Sequence, residues 1–390
     1  MSIPLVEIPR TSEQPEDLRR TLAHALGFRD YPDDTTAEPY LNYISNRPVG
    51  NSGFEAYLRL FIYVTQCVRG SYDFPGNSSG EYPRSIRGLI DRLKEDPAYE
   101  LFWKSVHEGY TPRSAVEDGV MHILGVRTMM LSSFTRLHNG LRRVCVAFNN
   151  YEKRENYSSE PGYSDNVRKL ISGTVRLNAW RLDAIAGVEI EWTMNVSRHM
   201  LLSQRSGRYL LEDHTRRVLE VFALPCAFKA SECHVFGIEY ELIREIRNSY
   251  AILFNAWPVP WHAKYGRFFG VQRFCWCEAC SAQRYKQKVM IAYRGSTGTS
   301  ARSEFDPMLE RLMDDEASDW TIETFPSLWS RITALEKHLQ TARPRSIWIL
   351  LRDRRDTLQY YTFVFATVVV CLTIVQVLLA VAQVVGSFHD

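Results

Sequence analysis

Residues 360–390 read YYTFVFATVVVCLTIVQVLLAVAQVVGSFHD, and the rest of the chain is read outward from this stretch. From Tyr361 to Val385 there is no charged residue, no Gly and no Pro, and 15 of these 25 positions are Val, Leu, Ile or Phe. As a helix rising 1.5 Å per residue the segment spans roughly 37 Å, more than the ~30 Å hydrocarbon layer of a bilayer. Such side chains favour insertion by about 0.3–0.6 kcal/mol each, on the order of 5–9 kcal/mol together, before the cost of two glutamines. A core strand or core helix is normally shorter. The composition predicts a transmembrane helix over 361–385.

The flanks predict its orientation. On the N-terminal side, residues 342–360 form a basic juxtamembrane segment with Arg343, Arg345, Arg352, Arg354 and Arg355 against Asp353 and Asp356. Beyond the span stand only Gly386, Ser387, Phe388, His389 and Asp390. Arg-rich flanks stay cytosolic, so the body is expected in the cytosol and the chain is expected to be tail-anchored and single-pass. The endoplasmic reticulum is the expected membrane. Trp348, Tyr360 and Tyr361 suit the interface. At the other end the only apolar run is Ile3 to Val6, containing Pro4 and followed by Glu7, so no secretory signal is expected. The sequons at Asn77, Asn156 and Asn195 then read as chance matches.

One face of the span, Thr362, Ala366, Val369, Thr373, Gln376, Ala380 and Gln383, is small or polar apart from Val369. Small residues let helices approach, and a Gln amide in hydrocarbon gains by bonding across to another helix. Weak self-association through this face is expected.

The whole chain has 390 residues with 47 basic and 45 acidic side chains, a net charge of +2. That balance argues against nucleic acid as a partner. Hydrophobic residues at 45% allow a packed core, and eight cysteines are too few for a disulfide scaffold.

Ahead of the anchor the pattern is mainly α with a small antiparallel β element. Residues 1–148 form an N-terminal helical region, with helices expected at 15–26, 54–68, 85–94, 98–107 and 114–137, loops at 28–53 and 70–83, and a short strand at 143–148. Polar residues 149–165 are a linker or exposed loop. Residues 166–341 form a second helical region. Here the pattern gives helices at 165–182, 215–224, 238–254, 306–316 and 327–341. It also gives a strand at 188–193 and a hairpin pairing 199–203 with 208–213. Residues 285–293 are ambiguous between helix and strand.

Phe274-Cys275-Trp276-Cys277-Glu278-Ala279-Cys280 holds three of the eight cysteines. Cys277-x-x-Cys280 is half a zinc knuckle, because two thiolates at that spacing bind one tetrahedral ion. Cys275 is beside it; Cys226 and the Cys233-His234 pair, some forty residues upstream, could supply the second half, although their spacing matches no standard ribbon or finger. The alternative is an aromatic turn whose cysteines act as small buried hydrophobes, with no cofactor. His199, before Met200-Leu201-Leu202, reads as a structural histidine in a hydrogen-bonded turn with Trp192, Thr193 and Asn195. Gly295 to Ser300 (GSTGTS) lacks the Lys of a phosphate loop, and no hydrolase, metalloprotease or dinucleotide signature occurs.

Two segments carry a resemblance. One runs Leu177-x-Ala-Trp180-x-Leu182, Gly187-Val-x-Ile-x-Trp192-Thr193-x-Asn195-Val-x-x-His199-Met-Leu-Leu. The other joins Leu328-Trp329-x-Arg331-Ile332 and Leu335 to Arg352-Asp353-x-Arg355-x-x-Leu358-Gln359-Tyr360-Tyr361. Together they resemble a large group of uncharacterised filamentous-fungal proteins with a helical body and one C-terminal anchor. The resemblance implies that layout and, through relatives near secondary-metabolite genes, a pathway accessory role. It implies no chemistry. The expected function is a non-enzymatic adaptor or accessory factor that binds a protein partner at an internal membrane. A membrane-tethered enzyme using the aromatic 254–280 region is the alternative.

Overall fold

The computed structural model describes residues 15–48, 53–73, 86–97, 102–103, 112–129, 177–206, 215–229, 240–255, 275, 277–296, 306–315, 319–342 and 357–387. The expected linker 149–165, the strand at 143–148 and the juxtamembrane arginines lie outside these residues. So do Cys233 and His234.

The first helices are α1 (Pro15–Ala25), α2 (Glu38–Ser45), α3 (Phe54–Asp73), α4 (Ile86–Glu95) and α5 (Pro112–Arg127). Pro15, Pro39 and Pro112 stand in the first turns of their helices, where a missing N–H costs nothing. The helix α2 corrects the expected loop at 28–53. Pro39 reads as a turn signal, yet it starts a helix in which every residue from Pro39 to Ser45 is buried. Similarly, α3 runs past its expected end into the 70–83 loop. Within α5, Gly119 is required by packing: a Cβ there would sit 2.3 Å from the Trp103 indole.

Three strands follow a short helix, α6 (Ala179–Ala184): β1 (Val188–Thr193), β2 (Leu201–Ser206) and β3 (Thr215–Phe222). Asn178 caps α6 through the N–H of Arg181 at 2.9 Å. Gly187, at φ 63°, takes the left-handed turn that launches β1. The sheet order is β1-β3-β2. β1 runs parallel to β3 with Ile190 opposite Leu219, while β2 runs antiparallel to β3 with Leu202 opposite Leu219.

This corrects two expectations. The β element is mixed rather than antiparallel, and residues 215–224 are its central strand rather than a helix. The partner of β2 is therefore 215–222 instead of 208–213. Physically, β3 is buried on both faces from Val218 to Phe222, so apolar residues fall on both faces around Glu220 and the alternation is lost.

Four helices follow in the body: α7 (Tyr240–Phe254), α8 (Glu278–Ser296), α9 (Pro307–Asp314) and α10 (Trp329–Thr341). Helix α8 resolves the ambiguous 285–293. Asp306 caps α9 through Met308 N–H and also accepts the Cys226 N–H at 2.6 Å. The buried Glu245 carboxylate of α7 accepts the N–H groups of Ser327 and Leu328, satisfying the start of α10. One continuous set of buried apolar residues runs from Leu18 to Leu339. The architecture is mostly helical around a small mixed sheet.

The last element, α11 (Thr357–Ser387), has 31 residues. Its stretch Phe365–Gln383 has mean hydropathy 2.6 and is entirely unburied. Among the described residues it is the one helix long and apolar enough to cross a membrane. Soluble monomers rarely expose an apolar surface this continuous.

Glu220 of β3 is 3% exposed and accepts from both Nε and Nη2 of Arg198, whereas the Arg198 side chain is 42% exposed. The pair is therefore asymmetric. Arg198→Ala strands a buried carboxylate, and a loss of about 3–5 kcal/mol in urea unfolding is expected. Glu220→Leu removes the charge and leaves Arg198 to water, so its loss should be smaller. Equal losses would contradict this account.

Candidate metal centre

The site forms where the start of α8 meets α6. Glu278, the first residue of α8, accepts from Asn178 Nδ2 at 2.9 Å and from Arg181 at 2.7 Å. These two bonds fix the two helix starts side by side, although the residues are about a hundred positions apart in the chain. Cys277 immediately precedes the helix, and its Sγ accepts the Cys280 N–H at 3.4 Å, the role an N-cap oxygen usually fills. One turn on, Arg284 donates to the Cys275 carbonyl at 2.7 Å and to Ser281 Oγ at 3.0 Å, drawing Cys275 back over the helix.

As a result the sulfurs of Cys275, Cys277 and Cys280 all lie within 4.8 Å of one another. Each is a free thiol, Cys280 buried and the other two half-buried. The three sit at the positive N-terminal end of a 19-residue helix, with Arg284 one turn on. The Cys277 backbone N–H, with the neighbouring thiols and Arg284 adding to it, lowers the Cys275 pKa below its usual range. Burial, reinforced by the other two thiols, pushes Cys280 up to about 12.

Of the four cysteines expected as ligands, the structure brings together Cys275, Cys277 and Cys280; Cys233 is outside the described residues. Cys226 is elsewhere. It is buried in the main core beside Asp306, which accepts its N–H. The aromatic residues 256–274 of the enzyme alternative are also outside the described residues. Glu278, Asn178 and Arg284, which shape the site, carry no signal in the sequence as site residues. Only the cysteine spacing does.

His199 takes the structural role that its setting implies. Its Nδ1 accepts the Phe222 N–H at 3.2 Å, so its Nε2 carries the proton and donates to Ser249 Oγ at 2.8 Å. Ser249 in turn donates to the Ile246 carbonyl at 2.6 Å. Asn195 accepts from Ser197 N–H and Oγ, and Thr193 Oγ1 accepts the Asn195 N–H, so the expected turn is present. Trp192 instead stacks on Phe254, with ring centroids 6.0 Å apart. Arg331 of α10 donates to the carbonyls of His199 and Ser197. The two resembling segments therefore meet in space through Arg331.

No family model, curated protein or solved structure matches the chain. The site is interpreted from its own geometry.

Burial, with the Arg331 charge adding to it, pulls the His199 pKa down to about 3. The folded state therefore holds the neutral ring. Stability from this residue is complete above about pH 6.5 and drains away as pH falls toward 3, by about 1.4 kcal/mol per pH unit. His199→Gln can accept and donate without titrating. The wild-type stability minus that of His199→Gln should fall between pH 6 and 4 and stay flat above pH 7. A flat difference throughout would show that His199 is not the responsible group.

Proposed function

We propose that the chain is a single-pass, membrane-anchored, non-enzymatic accessory protein. Its body binds a protein partner at the cytosolic face of an internal membrane. The observation that carries this reading is α11: 31 residues without a charge, its Phe365–Gln383 stretch wholly unburied. The five arginines of 343–355 support a cytosolic body.

Membranes from cells expressing the full chain provide the test. The protein should stay in the pellet after a high-pH carbonate wash, and protease added to sealed vesicles should digest the body to a short anchor fragment. A glycosidase-sensitive mass shift would place the body in the lumen and overturn the orientation. Release by carbonate would overturn the anchor.

The polar face of α11 supports weak self-association. Thr373 Oγ1 donates to its own helix at the Val369 carbonyl, 2.9 Å away, which leaves the glutamine amides as the groups with most to gain from a second helix. Such interhelical bonds are worth roughly 0.6–2 kcal/mol. In an energy-transfer assay of the full chain in bilayers, Gln376→Leu should lower the signal and Leu378→Ala should not. Equal responses would reject this face.

A further inference from the structure

We propose that Cys275, Cys277 and Cys280 bind one zinc ion as three thiolates, fixing the turn that leads into α8. The inference stands apart from the membrane reading.

Geometry is the first support. Zinc–sulfur bonds of about 2.3 Å at tetrahedral angles place the sulfurs about 3.8 Å apart. The three Sγ atoms already lie within 4.8 Å of one another, so small side-chain rotations reach that spacing. Their backbones are held beforehand by the Arg284 bond to the Cys275 carbonyl and by the capping bond of Cys277. Preorganisation by such surrounding contacts is what ligand sets in metal sites rely on.

Charge is the second. Three thiolates and Zn²⁺ carry a net −1, which Arg284 balances beside the site and the α8 N-terminus further offsets. A monovalent soft ion such as Cu⁺ would leave −2 for the same partners. The other nearby cation, Arg181, is already matched by Glu278. On binding, each thiol gives its proton to solvent and each sulfur donates a pair to the ion, so no oxidant or reductant is needed. Three protein ligands leave one tetrahedral position for water.

Packing is the third. The buried residues around the thiols are Ala279, Cys280 and Ala282, a satellite cluster distinct from the main core and joined to it by Trp180. Side chains this small bury little apolar area, so hydrophobic burial alone holds the junction weakly. A metal held by the three thiols ties residues 275–277 to the first turn of α8, beside this small cluster.

The test uses the full chain, purified in detergent under reducing conditions without added metal. About one zinc per chain is expected by elemental analysis. Cys280→Ser and Cys277→Ser should each lower it at least tenfold, while Cys226→Ser and Cys371→Ser keep it. Serine can still cap α8, so Cys277→Ser need not unfold the helix. As a measurement free of variants, Co²⁺ added to chelator-stripped wild type should give the absorption of tetrahedral thiolate cobalt, and one equivalent of Zn²⁺ should abolish it. Absence of both metal and cobalt absorption overturns the proposal. So does zinc retained in the Cys277→Ser and Cys280→Ser variants, or a disulfide among the three cysteines in freshly isolated, metal-free protein.

Discussion

A carboxylate in the middle of a strand that has no solvent face must be neutralised from the side, and in this protein Arg198 does so for Glu220. That need organises the surrounding chain. Arg198 belongs to the turn between β1 and β2, so pairing it with β3 anchors the turn to the centre of the sheet. The next residues complete the attachment. His199 takes the Phe222 N–H, and Met200 N–H donates to the Glu220 carbonyl at 2.7 Å. Arg331 then clasps the outer carbonyls of the same turn, which fixes α10, the last helix described before α11.

Burying these polar groups costs stability unless every one is partnered. Here they are partnered across long sequence distances: Glu245 to residue 328, Asp306 to Cys226, Arg331 to Ser197. The body therefore closes as one network. Local propensity decides the helices, but these few long-range polar contacts decide where the helices sit.

That division explains what could be read from the sequence. Helical periodicity found α3, α7, α9 and α10, because each has one wet face and one dry face. Alternation found β1 to the residue, because one of its faces is only half covered. It failed for β3, where burial on both sides erases alternation and the run of Val218, Leu219, Val221 and Phe222 mimics a helix. It failed for α2, where Pro39 starts an element rather than ending one. In the site, the Cys277-x-x-Cys280 spacing was visible because both residues lie within one turn. The contribution of Arg284, one turn later, was not, since any surface arginine in a helix looks the same. The contacts of Glu278 with Asn178 and Arg181 join distant segments and leave no local trace.

The length of α11 has its own consequence. Its uncharged stretch exceeds the hydrocarbon thickness of an average bilayer, and the endoplasmic reticulum is a few ångströms thinner still. A surplus of this kind is absorbed by leaning, by local thickening of the lipid, or by residence in a sterol-rich membrane. Each carries a small energetic preference that accumulates with every ångström of mismatch. In a bilayer, a helix of this length would respond to the bilayer's thickness, and a leaning span would cant whatever is attached to it relative to the surface.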